Sequence, residues 1–268
     1  MNKNLSKERI AYLKKKRNYK LMVRGTQVFI LLFFIIFWEV LANLEVIDSF
    51  ITSKPSKVWE TFLNMLSDGL LYHIGVTCLE TVIGFLLGTL IGVAVASLLW
   101  WSKFFSEVLS PFFVVLNSLP KVALGPIIII WVGAGMPAII TMALAISLVV
   151  TILDMLNGFM ATDKNKIKMA ETFGANKFQV FTKIVFPSNI STLLTVLKVS
   201  IGLSMVGVIT GEFLVSKGGL GYLIVYGGQV FKLDLVMTSV IILAVVATLM
   251  YLAVCLLQRM ISLKGRWQ

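Results

Sequence analysis

Six stretches of this chain are apolar over enough residues to cross a lipid bilayer, near 27–44, 74–99, 107–131, 135–158, 190–213 and 234–258. A hydrocarbon core ~30 Å thick takes about 20 apolar residues per helical crossing. Inside it every backbone N–H and C=O must be satisfied by the protein itself, which leaves helices or closed barrels. Runs of this length predict an all-α, polytopic membrane bundle of about six transmembrane helices. Composition agrees, with 58% of the 268 residues hydrophobic against roughly 45–50% in soluble domains. The run from Val28 to Leu44 is longer than the apolar part of a signal peptide, and no small-x-small site follows it closely, so it reads as a retained span.

The net charge is +11, from 24 Lys plus Arg against 13 Asp plus Glu. A balance this basic raises nucleic acid as a partner, but its placement points to the bilayer and its headgroups instead. Residues 1–26 carry Lys3, Lys7, Arg9, Lys14, Lys15, Lys16, Arg17, Lys20 and Arg24 just ahead of the first span, which predicts a cytoplasmic flank. With six spans both termini are then cytoplasmic, and the protein is multi-pass in the cell membrane. The turn at Lys103, the lysine-rich 159–189 loop and the 259–268 tail fall inside, while the acidic 45–72 segment falls outside. The organisation expected is a basic segment 1–26, a first span with an external amphipathic segment 27–72, a core transmembrane domain 73–258 containing the 159–189 loop, and the 259–268 tail. Within 45–72, Val58, Phe62, Met65 and Leu66 repeat at helical spacing after a turn at 51–56.

Details inside the spans mark packing and polar candidates. Gly84, Gly88 and Gly92 form a small-residue stripe at four-residue spacing, which predicts close helix packing. Pro111, Pro120 and Pro126 interrupt the third span, with Asn117, Ser118 and Lys121 at the break. Proline frees a carbonyl, and a broken backbone in lipid must be buried in protein or line a cavity, so these three residues are candidates for a translocation path. Glu80 and Glu212 are carboxyls at membrane depth, each in need of a partner. Glu212 is a candidate gate or structural anchor, and the glycines at 218, 219 and 221 predict a looped or re-entrant backbone beyond it. Cys78 and Cys255 sit in different spans and read as packing residues.

Catalytic constellations are missing. One histidine excludes multi-His metal sites, and neither a nucleophile elbow nor a G-x-x-x-x-G-K-[S/T] phosphate loop is present. The chain reads as a transport component, not an enzyme, with no cofactor or metal of its own. If nucleotide drives it, another subunit binds that nucleotide.

Lys168 to Pro187, KMAETFGANKFQVFTKIVFP, is a polar and partly amphipathic island between two spans. Gly174 can close one short helix and Asn176 can cap the next. Phe178, Phe181 and Val185 would then face the bundle, with Lys177 and Lys183 toward water. The segment resembles the hallmark of permease subunits of binding-protein-dependent ATP-binding-cassette importers: Glu-Ala-Ala, three residues, Gly, nine residues, Ile-x-Leu-Pro. Lys168-Met169-Ala170, Gly174 and Ile184-Val185-Phe186-Pro187 occupy those positions without a gap. Two positions depart from it, Lys168 for an acid and Phe186 for a leucine; Glu171 lies one helical turn beyond Lys168. The segments 52–59 and 119–126, and Glu212 followed by Gly219-Leu220-Gly221-Tyr222, are similar to the nitrate, sulfonate and taurine branch, which also includes permeases for thiamine and riboflavin precursors.

The resemblance implies a type I importer fold and two permease subunits, expected to be a homodimer. It also implies two cytoplasmic ATPase subunits that carry ATP-Mg, and an extracytoplasmic solute-binding protein. It places ATPase coupling at Lys168, Met169, Ala170, Glu171, Gly174, Ala175 and Pro187. A carrier driven by an ion gradient is the competing reading; it would show inverted repeats and paired intramembrane carboxylates, and neither is evident in the sequence.

Overall fold

The computed structural model describes residues 7–264, which are helical with short connections and contain no strand. In chain order the elements are α1 (Lys7–Asn43), α2 (Ser49–Thr52), α3 (Pro55–Ser67), α4 (Leu70–Trp101), α5 (Lys103–Ser118), a 3₁₀ turn (Lys121–Leu124), α6 (Gly125–Val132) and α7 (Met136–Met160). The chain continues as α8 (Lys164–Thr172), α9 (Lys177–Val180), a π turn (Phe181–Val185), α10 (Phe186–Ser188), α11 (Ile190–Val215), α12 (Leu220–Gln229) and α13 (Leu233–Lys264).

Five helices among the described residues are long and apolar enough to cross a membrane on their own, six if α5 and the limb from Lys121 to Val132, bent by 87° at their junction, count as one span. That bend is sharper than the kink expected for one span over 107–131. Leu119, ahead of Pro120, is pushed into the extended region (φ −65°, ψ 141°), and the helix cannot continue through it. The first helix also differs from the expected 27–44 segment, because α1 runs unbroken through the basic residues from Lys7.

The centre of the bundle is α4, α7 and α11. Lipid supplies no hydrophobic drive between helices, so close backbone approach through small residues does the packing. A Cβ built on Gly84 would lie 2.7 Å from that of Ala143, one on Gly88 would lie 2.7 Å from Ser147 Oγ, and one on Gly92 would lie 2.5 Å from Thr151 Cγ2. The stripe on α4 therefore beds on α7. On its other side α7 meets α11, where Gly207 rests on the backbone of Ala143 and the Thr151 and Ser200 hydroxyls bond at 2.8 Å.

One end of the bundle is built by α2, α3 and α12 against α4, α11 and α13. Pro55 opens α3 and Lys54 gives it no side-chain cap, so α1 supplies one: Glu39 Oε2 accepts from Ser56 N and Oε1 from Ser56 Oγ, both at 3.0 Å. Ser53 Oγ donates to Asp234 Oδ1 at 2.6 Å, tying the turn between α2 and α3 to α13. The opposite end carries α8, α9 and the π turn on an aromatic floor of Trp100, Trp101, Phe159, Phe181 and Phe186.

Candidate coupling and translocation sites

Asp163 starts α8 by accepting from Asn165 N at 2.8 Å, and the helix stops where Gly174 takes φ +81°. A left-handed residue here lets Ala175 N reach back to Ala170 O at 3.0 Å, a turn that costs an L side chain ~1–2 kcal/mol. Asn176 then opens α9 with a reciprocal capping box, Gln179 N to Asn176 Oδ1 and Asn176 N to Gln179 Oε1, both 2.9 Å. Replacing Asn176 with Ala is expected to cost about 1 kcal/mol locally. Hydrogen exchange at Gln179 and its neighbours should quicken, with the transmembrane amides unaffected.

Ala170 and Ala175 pack on the aromatic floor, whereas Lys168, Met169, Glu171, Gly174 and Pro187 are exposed. Lys168 and Glu171 form no ion pair with each other. Phe173, between them and the glycine, is 84% exposed. The apolar face of the second helix differs from its expected form: Val180, Phe181 and Val185 are buried and Phe178 is 62% exposed. Phe181 and Val185 keep the four-residue spacing of the expected face, and Val180 takes the buried place expected for Phe178. Lys177, expected to point to water, instead donates to Trp101 O, and Phe178 stacks on the Trp101 ring at 6.2 Å between centroids. Two contacts thus join the α8–α9 hairpin to the end of α4.

At the α5 break, Lys121 Nζ donates to Asn117 Oδ1 at 3.0 Å and to Asn117 O at 3.4 Å, taking up a carbonyl freed by the bend. Ser118 Oγ donates to Val114 O at 3.0 Å. Asn117 and Ser118 are exposed and Lys121 is half-buried.

Glu212 is 1% exposed, and its carboxylate sits at the start of α12. Thr77 Oγ1 donates to its Oε1 at 2.6 Å and Gly221 N donates to its Oε2 at 2.5 Å. Leu220 N donates to Thr77 Oγ1 at 2.8 Å and Gly219 N to His73 Nδ1 at 3.1 Å. Beyond the end of α11 the chain loops through residues 216–219, as the glycines suggest, and α12 then starts with its amide end against the Glu212 carboxylate. Gly219, at φ +102°, allows the tight entry, and a side chain on it would strike the Glu212 carboxylate. Glu80 lies against Glu212 within hydrogen-bonding contact. A pair of intramembrane carboxyls, not evident in the sequence, thus exists in the fold; Thr77 and Glu212 are 135 residues apart and only the packing of α4 on α11 unites them.

Residues 88–266 match the family described as the binding-protein-dependent transport system inner membrane component, and the chain belongs to it. It is the transmembrane permease subunit of an ATP-binding-cassette importer, a multi-pass inner membrane protein that works with ATPase and solute-binding partners. Among its relatives, a putative aliphatic sulfonates transport permease of Bacillus subtilis is 28% identical over 224 residues, 83% of this chain and 81% of that one. A riboflavin transport system permease of Chloroflexus aurantiacus is 26% identical over 239 residues, 89% of this chain and 88% of that one. The fold is that of solved importers: a structure of a bacterial transporter involved in alginate import aligns with TM-score 0.64 at 15% identity, covering 91% of this chain and 99% of that one.

Proposed function

We propose that this permease works as a pair of identical subunits that pass a small solute along their shared interface, driven by ATP-Mg held on cytoplasmic ATPase subunits. The solute class that the relatives favour is a sulfonate-, nitrate- or taurine-like anion or a vitamin precursor. The α8–α9 end lies in the cytosol with both termini, and the α2, α3 and α12 end receives the solute-binding protein. ATP-driven closure of the ATPase pair shifts α8 and α9 as a rigid unit and rotates the spans attached to them.

Phe173 carries the coupling assignment. A phenylalanine 84% exposed on a short helix outside the membrane leaves a large apolar area in water, and a groove on a partner would cover it. Met169, 58% exposed, stands one turn away and widens the same knob. The polar break at Asn117, Ser118 and Lys121 supports the pairing of permeases, since exposed backbone and amide groups at membrane depth need protein or a water-filled path beside them. The family assignment favours this reading over a carrier driven by an ion gradient.

Replacing Phe173 with Ser is expected to weaken retention of the ATPase subunits by roughly tenfold or more, the scale of a lost aromatic anchor. Co-purification from detergent and stimulated ATP hydrolysis read it out. Unchanged retention would remove Phe173, and with it the docking assignment.

A further inference from the structure

Glu80 of α4 and Glu212 of α11 are 4% and 1% exposed and lie in hydrogen-bonding contact. An ionised carboxylate only accepts, so two of them cannot bond each other, and away from water their like charges repel strongly. The contact therefore needs a proton in it. The donors around the pair show where the charge sits. Glu212 accepts from Thr77 Oγ1 at 2.6 Å and from Gly221 N at 2.5 Å, with Tyr222 N also in reach, so its charge is well met. Glu80 lacks such surroundings, since no donor among the described residues reaches its Oε2. Glu212 is accordingly the carboxylate, and Glu80 the neutral acid that donates to it.

No cation stands in for that proton. The titratable groups facing the pair are His73 and Cys78 on α4, Tyr222 on α12, and Tyr72 and Lys217 across a cavity of about 440 Å³ that Glu80 lines. Lys217 is exposed and makes no ion pair with either carboxyl. His73 Nδ1 is already an acceptor, from Gly219 N at 3.1 Å. From α7 this wall receives only Met136 and Ile139, which do not titrate. Glu80 borders the cavity and Glu212 does not, so a proton exchanges with solvent through Glu80.

We propose that the Glu80–Glu212 pair binds one proton and uses it as a latch: while the proton is in place α4 clasps the amide end of α12, and its loss frees that end. Three consecutive amides show how much hangs on the contact. Gly219 N ends on His73, Leu220 N on Thr77 and Gly221 N on Glu212, and Thr77 also holds Glu212. A second charge on Glu80, three residues from Thr77 on the same helix, pushes Glu212 away and loosens the set together. This end of the bundle thereby answers to the pH of the solution it faces. The latch belongs to the packing of α4, α11 and α12 and stands independently of the importer reading.

Infrared spectroscopy of the full-length permease in a maltoside detergent, which has no ester carbonyl of its own, tests the proton directly. At neutral pH the wild type is expected to show the carbonyl stretch of a buried, un-ionised carboxylic acid. Glu80→Gln, whose amide can still donate to Glu212, should lack that band, and alkaline solution should remove it from the wild type. Hydrogen exchange then tests the latch. Once the band has gone, amides 219–222 should exchange roughly tenfold faster in the wild type than in Glu80→Gln at the same pH. A wild type without the band at neutral pH, or a band that persists in Glu80→Gln, overturns the shared proton, and equal exchange in the two proteins overturns the latch. Should Glu80→Gln fail to accumulate, wild-type permease labelled with ¹³C at the glutamate carboxyl decides. Glu80 and Glu212 are the buried glutamates among the described residues, so the band must shift with the label. Exchange at 219–222 must then climb with pH more steeply than at the other transmembrane amides; an unshifted band or an ordinary climb counts against the proposal.

Discussion

Valine in place of Gly174 is expected to cut ATP-driven uptake by roughly tenfold or more while the protein still inserts and keeps its thermal midpoint within a few degrees. Nothing lies within 4 Å of where its Cβ would be, so the penalty is conformational and not steric crowding. At φ +81° an L side chain costs ~1–2 kcal/mol, and a β-branched one more. The chain escapes that cost by reopening the turn, which changes the angle between α8 and α9 and carries Met169 and Phe173 away from their positions. The aromatic floor beneath loses little, so stability and transport separate. Asparagine tolerates the left-handed region and should keep most of the uptake. The measurement is solute uptake into proteoliposomes containing the whole complex, and uptake by the valine variant equal to wild type would exclude a coupling role for this turn.

Leucine in place of Glu212 should act in the opposite sense, on stability before transport. The carboxylate accepts two bonds, from Thr77 Oγ1 and Gly221 N, and bonds to a charged group contribute about 1.5–3 kcal/mol each. Their loss leaves Gly221 N, in the first turn of α12, facing an apolar side chain at a buried site. A loss on the order of 4 kcal/mol lowers the unfolding midpoint by about 10 °C, read by thermal denaturation in detergent. Glutamine keeps an acceptor for one of the two bonds and should recover about half. A leucine variant as stable as wild type would show that α12 does not depend on this anchor.

The spans were legible because hydropathy has to be continuous across a bilayer whatever the rest of the fold does. The stretches expected at 74–99, 135–158 and 190–213 correspond to α4, α7 and α11, whose ends differ from them by a few residues. Proline at 120 announced an interruption in the third span, but its 87° angle depends on how α6 packs against α7 and α11, which no local pattern encodes. Gly174 and Asn176 signalled a helix end and a helix start through backbone chemistry that is local by nature. The π turn was hidden, since Phe181–Val185 has no residue that demands it, and so was the exposure of Phe178, which stacks on Trp101 instead of entering the core. Least legible was the polar cluster of His73, Thr77, Glu80 and Glu212. Glu80 and Glu212 were visible singly as costly groups at membrane depth, but the meeting of all four is a property of helix crossing and leaves no spacing to read.

The π turn carries a further consequence for how the α8–α9 hairpin is aimed. Each residue of an α-helix turns the chain by ~100° about its axis, so a single residue gained or lost between α9 and α11 would swing α8 and α9 to another compass bearing. Phe181–Val185 holds that extra residue in reserve, like one tooth on a gear, beside Pro187 and the Asn189 side chain that fastens to Val185 O at 2.9 Å and to Thr162 at 2.8 Å. The bearing of the hairpin is thus set in discrete steps, by counting residues, and an insertion or deletion at this one place would turn α8 and α9 to a new direction without altering either helix.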